Sequence, residues 1–367
     1  MEQTLREAAD LLGEPLTDPR DLGGSTRSTV LRARTASGRD VVVKAFAQAP
    51  EAGRSFTGEA AGLALGVGGA DLLAADPARR LLVQTDLGDL PTLADLLLGE
   101  DPEAATAALL AWAAGLGDLA VAAAPRRAEF DALWARYDQG LPSWDREPWH
   151  AENATGLLTA LAGAGVAPAP GLAAELAGVA ELLTDRYPAF TPGDTCADNN
   201  LITPDGLRLI DFEAACYLSV FLTAAYCRMP FSSCWCVFTL PPELAAQVER
   251  TYRERVVRIH PELADDEVWT AGLAAAVALW TVDLTARQLP RVLTGDAPVH
   301  PRRRPVPTRR QLLRHRWARA AELPGLPALT ATMRELLALS DDWQVPDLPH
   351  YPAFRSVGLS SGDRAGS

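Results

Sequence analysis

Asp194, Asn199 and Asp211 pose the chemical question: two carboxylates and a carboxamide fall within one short stretch, Phe190 to Glu213. Two apolar runs, 200–203 and 207–210, flank Pro204-Asp205-Gly206 there. Proline presets φ, aspartate bonds its own backbone and glycine tolerates a left-handed conformation, so this tripeptide between apolar runs predicts a β-hairpin. Folding the hairpin carries the residues before its first strand next to those after its second. The three side chains therefore meet at its open end. Their oxygens suit Mg2+, with one carboxylate left over as a general base. That equipment serves phosphoryl transfer.

A second signal is compositional. Of 34 basic residues, Lys44 is the only lysine. Where a chain otherwise uses arginine, a retained ammonium marks a place that needs a compact charge rather than a planar guanidinium. Its setting, Val41-Val42-Val43-Lys44-Ala45-Phe46, reads as a buried strand. Upstream, Asp21 to Ala33 predicts strand, turn and strand, with Gly23, Gly24 and Ser25 at the turn. Downstream, Phe56, Ala60, Leu63 and Val67 repeat at helical spacing, which predicts a helix carrying Glu59.

Gly193-Asp194, Asn199 and Asp211-Phe212-Glu213 resemble the catalytic loop and metal-binding strand end of the aminoglycoside phosphotransferase family, within the wider protein-kinase-like fold. The resemblance implies an α+β fold of two lobes with MgATP clamped between them. The small antiparallel-sheet lobe would span 1–88 and the large, mostly helical lobe 89–355, with a disordered tail over 356–367. By the same resemblance Asp194 is the base that orients the acceptor hydroxyl, and Asn199 and Asp211 hold Mg2+. Lys44, braced by Glu59, positions the phosphates, while Gly23, Gly24 and Ser25 let backbone amides and a hydroxyl approach them. Backbone groups of Gln84, Thr85, Asp86 and Leu87 would meet the adenine edge. The family acts on aminoglycosides, choline, amino sugars and similar hydroxyl compounds, so an ATP-dependent small-molecule kinase is expected. The family pattern begins His-Gly-Asp, however, and Pro192 stands in the first position. A nucleotide-binding pseudokinase without turnover is the alternative that this departure raises.

The rest of the chain must position these groups. Residues 1–19 suggest a short amphipathic helix and a linker bearing Pro15 and Pro19. Strands over 71–75 and 80–85 lead to a lobe boundary near Gly88, and Thr92 with Asp95 approximates a helix capping box. Residues 102–186 read as Ala-rich helices, with Trp134, Trp144 and Trp149 in or near a loop and assigned to packing. Two long helices follow, over 242–259 and 265–289; Asp283 lies on the second among apolar neighbours, with Arg287 four residues on to pair with it. The Arg- and Pro-rich run 300–310 predicts a linker paired within the chain, before two closing helices.

A formal net charge of −13 argues against nucleic-acid binding, which needs a basic surface. With Asp198, Glu213 and Asp283 near the site in prospect, it leans toward a cationic acceptor. The start of the chain lacks a secretory pattern, and the apolar run 104–124 predicts a buried helix rather than a membrane span, so a cytoplasmic protein is expected. Five cysteines then predict reduced, buried thiols. Cys216, Cys227, Cys234 and Cys236 lack the paired C-x2-C spacing of structural zinc sites. A thiol-based metal or redox module is a third, weaker reading. The acceptor's identity and the oligomeric state are not legible.

Overall fold

A computed structural model of the chain describes residues 1–229, 231 and 234–355; the tail expected to be disordered lies outside them. The small lobe runs α1 (Glu2–Leu12), β1 (Leu16–Gly24), β2 (Ser28–Thr35), β3 (Asp40–Phe46), α2 (Pro50–Ala64), β4 (Leu72–Asp76) and β5 (Leu81–Thr85). After a connector come α3 (Leu93–Leu98), α4 (Pro102–Ala123), α5 (Arg127–Tyr137), α6 (Trp149–Gly163) and α7 (Leu172–Leu183). The site-bearing segment holds β6 (Pro188–Thr191), β7 (Asn200–Thr203), β8 (Gly206–Leu209) and β9 (Cys216–Ser219). The chain closes with α8 (Val220–Arg228), α9 (Pro242–Val256), α10 (Asp266–Val292), α11 (Arg309–Ala320) and α12 (Pro327–Leu339).

The five strands of the small lobe form an antiparallel sheet in the order β1-β2-β3-β5-β4. Side chains alternate across a strand, so Val41 and Val43 face one way with Leu31, Leu81 and Val83, where Ala8 of α1 covers them. Lys44 and Phe46 face the other way, toward α2 and the large lobe; Phe46 joins the main core. Strand period alone therefore aims the lysine into the interlobe space. The expected linker after α1 is instead strand: β1 begins at Leu16 and contains Pro19. Its place at the sheet edge, with register shifts between Thr17 and Arg20, tolerates a residue that cannot donate to a ladder.

The connector around Gly88 separates the lobes in sequence more cleanly than in space. Phe56, Ala60 and Leu63 of α2 are buried in the same core as the large lobe, and α2 packs on α5. Thr92 caps α3 with a full capping box through Asp95. Two stretches of described residues, Pro102–Tyr137 and Asp266–Val292, are long and apolar enough to cross a membrane. In the fold α4 packs against α9, and α10 against α6 and α8.

Candidate active site

The hairpin β7–β8 pairs Asn200 with Leu209 and Thr203 with Gly206, as the turn chemistry predicts. One further bond, from the Ile210 N–H to the Asn199 carbonyl at 3.1 Å, zips its open end and sets Asn199 beside Asp211. The Asn199 carboxamide donates to the Asp194 carbonyl at 3.4 Å, which leaves its own oxygen without a donor among the described residues. The Cys196 N–H donates to the Asp194 carboxylate at 3.1 Å, and the Glu213 N–H to that of Asp211 at 3.2 Å. Asp194, Asn199 and Asp211 line one cavity of about 410 Å3. An amide oxygen and a carboxylate side by side are a hard-oxygen donor set that fits Mg2+.

Where the family pattern has histidine, the backbone is held by other means. The Gly193 N–H donates to the Thr191 hydroxyl at 3.1 Å. Gly193 has φ of 89°, and a Cβ there would stand 2.3 Å from the Ala214 carbonyl oxygen, so only glycine permits this approach. Burial and the nearby Asp211 charge raise the Asp194 carboxyl to about 6, against the pull of the Cys196 N–H.

Lys44 is buried and contacts Glu59 of α2 directly; its ammonium also donates to the Ile210 carbonyl at 2.8 Å and lies 3.8 Å from Asp211. Glu59, wholly buried, spends its second oxygen on the Phe212 N–H at 2.6 Å. One carboxylate thus ties the lysine to the backbone that carries Asp211. Burial opposes the Lys44 charge, yet Glu59 and Asp211 outweigh it and hold the ammonium above its ordinary value. Burial likewise raises the Glu59 carboxyl, a rise that Lys44 restrains. Sequence reasoning missed Gly58, whose absent side chain lets α2 come this close: a Cβ there would stand 2.6 Å from the Glu213 carbonyl oxygen.

The turn expected to meet the nucleotide differs from expectation in detail. The Gly23 N–H is taken by Asp21 at 2.7 Å and the Ser25 N–H by the Ser28 carbonyl at 3.0 Å, while the Ser25 hydroxyl accepts from the Arg27 N–H at 3.0 Å. These groups brace the β1–β2 turn, with Gly24 between them, rather than pointing free toward a phosphate. From the same turn the Arg27 guanidinium reaches across to Glu213. In the connector the Thr85 N–H bonds the Asp71 carbonyl and the Asp86 N–H the Asp40 carbonyl, so neither is spare for adenine. The Asp86 carboxylate holds Arg32 and the Gly88 N–H. Gln84 is buried with its amide oxygen unpartnered, and the Leu87 backbone has no partner among the described residues.

No family model matches the chain, and no curated protein does. Solved structures do. APH(2")-IIia, as a complex with GDP and kanamycin, superposes with a TM-score of 0.50 at 13% identity over 79% of this chain and 93% of that one. The two-lobe protein-kinase-like fold is therefore shared. A macrolide 2'-phosphotransferase of Brachybacterium faecium matches at TM-score 0.48 and 17% identity, over 79% of this chain and 92% of its own. A choline kinase of Streptococcus pneumoniae matches at 0.46 and 15%, over 90% and 99%.

On this kinase-like frame the three acids expected to attract a cation are already engaged. Asp198 accepts from the Trp235 indole at 2.7 Å and pairs with Arg303 at 2.9 Å; Glu213 contacts Arg27; Asp283 contacts Arg287. Each is paired in place, so these three acids do not by themselves favour a cationic acceptor. Burial still raises the Asp283 carboxyl, against the pull of Arg287. Trp144 and Trp149, assigned to packing from sequence, join Trp280, Asp194, Glu213 and Asp283 around a second cavity of about 450 Å3, whereas Trp134 is core. The Arg54 guanidinium stacks over Trp144 at 4.2 Å.

The thiol expectation also changes. Cys196 and Cys234 are joined by a disulfide, because the loop carrying Asp194 lies against the segment after α8 with the two Cα atoms 5.3 Å apart. Cys216, Cys227 and Cys236 are free and buried. Cys196, Asp198 and Cys234 are the metal-ligating residue types that cluster among the described residues, not the set considered from sequence spacing, and the disulfide occupies both sulfurs.

Proposed function

We propose that this chain is an ATP-dependent small-molecule kinase that transfers the γ-phosphate to an alcohol. The arrangement that supports it is the Lys44–Glu59 pair, bonded to the backbone at Ile210 and Phe212 on either side of Asp211, at the end of the hairpin that also carries Asn199. Lys44 meets the nucleotide phosphates as a fixed point charge. Asn199 and Asp211 would hold Mg2+, whose charge offsets that of the triphosphate. Asp194, with its carboxyl at about 6, is ionised at neutral pH yet basic enough to accept the acceptor's hydroxyl proton as the oxygen attacks phosphorus. The β1–β2 turn, pinned to Glu213 by Arg27, would lie over the phosphates as a brace rather than as a donor of its Gly23 and Ser25 N–H groups.

The test is γ-labelled ATP with a panel of alcohols, read beside thermal stabilisation by MgATP. Label transfer that disappears in Asp194→Asn is the expected result. Stabilisation by MgATP with no transfer to any alcohol would favour the pseudokinase that Pro192 suggests.

A further inference from the structure

We propose that the cavity beside Asp194 selects acceptors bearing a carboxylate next to a hydroxyl, held by Arg309, His300 and Gln288; this rests on the kinase reading above. The cavity is two-faced. Its hairpin side presents Asp194, Asp198 and Asp211, and the rest of its wall comes from α10, the 299–300 linker and α11. That second side is rich in donors.

Arg309 opens α11. Its N–H bonds the Ala297 carbonyl at 2.9 Å, and Thr308 caps the helix, so the helix end itself is satisfied. The Arg309 guanidinium has no carboxylate or carbonyl partner among the described residues, although the neighbouring Arg287 and Arg303 are paired with Asp283 and Asp198. An arginine fork facing a cavity with none of its donors used matches a carboxylate in bidentate geometry.

His300 contributes a second donor. Its Nδ1 accepts from the N–H groups of Arg302 at 3.2 Å and Arg303 at 2.9 Å. A ring nitrogen that accepts carries no proton, so the neutral imidazole keeps its hydrogen on Nε2. Gln288 supplies the complement: its amide oxygen is buried without a partner. A ligand hydroxyl donating to that oxygen would satisfy it. Two donors and one acceptor describe a hydroxylated carboxylate rather than a polyamine. The acidic face opposite then orients the ligand, carboxylate toward Arg309 and a further hydroxyl toward Asp194.

The test uses matched probes: glucuronate against glucose and glucosamine, and 2,4-dihydroxybutyrate against 1,2,4-butanetriol and 4-amino-1,3-butanediol. Thermal stabilisation is read with and without MgATP, and label transfer from ATP is read alongside. The expected result is stabilisation by the carboxylate member of each set above its neutral and amine partners. Arg309→Gln should abolish that preference, raising KM for the carboxylate roughly tenfold to hundredfold while the KM for MgATP stays put. Preference for an amine or neutral member, no response to any carboxylate probe, or a preference that survives Arg309→Gln overturns the proposal. So does an Arg309→Gln protein whose defect is in MgATP binding. Failure of the kinase reading shows separately, as carboxylate stabilisation in a protein that MgATP neither stabilises nor phosphorylates through.

Discussion

At the scale of single residues, the candidate site works against stability. Asp194 has a folded value of about 6 and an ordinary value of 3.8. A raised carboxyl binds its proton more tightly when folded, so its contribution is harmless below about pH 4 and unfavourable above about 6. Asp194→Asn should therefore raise the unfolding free energy at pH 7.5 by up to about 3 kcal/mol, a gain that fades as pH falls from about 6 to about 4. Chemical denaturation across that range checks it. The same substitution should lower kcat by about 100- to 10,000-fold, and wild-type kcat/KM should fall tenfold per pH unit below about 6. Lys44→Arg keeps the charge but cannot fit a fork between Glu59, Ile210 and Asp211; a kcat loss of roughly 100-fold is expected in steady-state assays. Asp194, Asn199, Asp211 and Lys44 were legible because their spacing and scarcity are local properties of the chain. Thr191, His300, Gln288 and Arg309 were not, since each matters only through partners, or missing partners, that folding creates.

At the scale of elements, period and turn chemistry foretold the β7–β8 hairpin, the lysine strand and the capping box at Thr92. β1 was hidden because an edge strand may carry proline, and the sequence offers no sign of which strand is at the edge. The close seating of α2 on residues 211–213 was hidden too, for glycine in a helix usually reads as weakness. Gly58→Ala tests that seating. Helix propensity favours alanine by about 1 kcal/mol, but the added methyl meets the Glu213 carbonyl, so a net loss of about 1–3 kcal/mol is expected by denaturant titration. Activity should drop as well, since any shift of α2 moves Glu59 off Lys44 and off the Phe212 N–H.

At the scale of the molecule, the two lobes are less separable than their sequence order suggests. The buried face of α2 belongs to the larger core, so residues 1–88 expressed alone should fail to give a dispersed, folded spectrum, while the whole chain should unfold in one transition by circular dichroism. The hairpin, though in the large lobe by sequence, is stitched to chain that precedes it. The Leu209 N–H bonds the Gly68 carbonyl at 2.8 Å and the Ile202 N–H bonds the Pro91 carbonyl at 3.0 Å. The residues assigned to nucleotide and metal thus share a framework that reaches back into the small lobe, and the polar groups at Gln288, His300 and Arg309 belong to helices and linker outside it. On the proposed kinase reading, divergence could exchange the α10–α11 flank for another without disturbing phosphoryl transfer, so that relatives of this chain would differ first in what they phosphorylate and last in how.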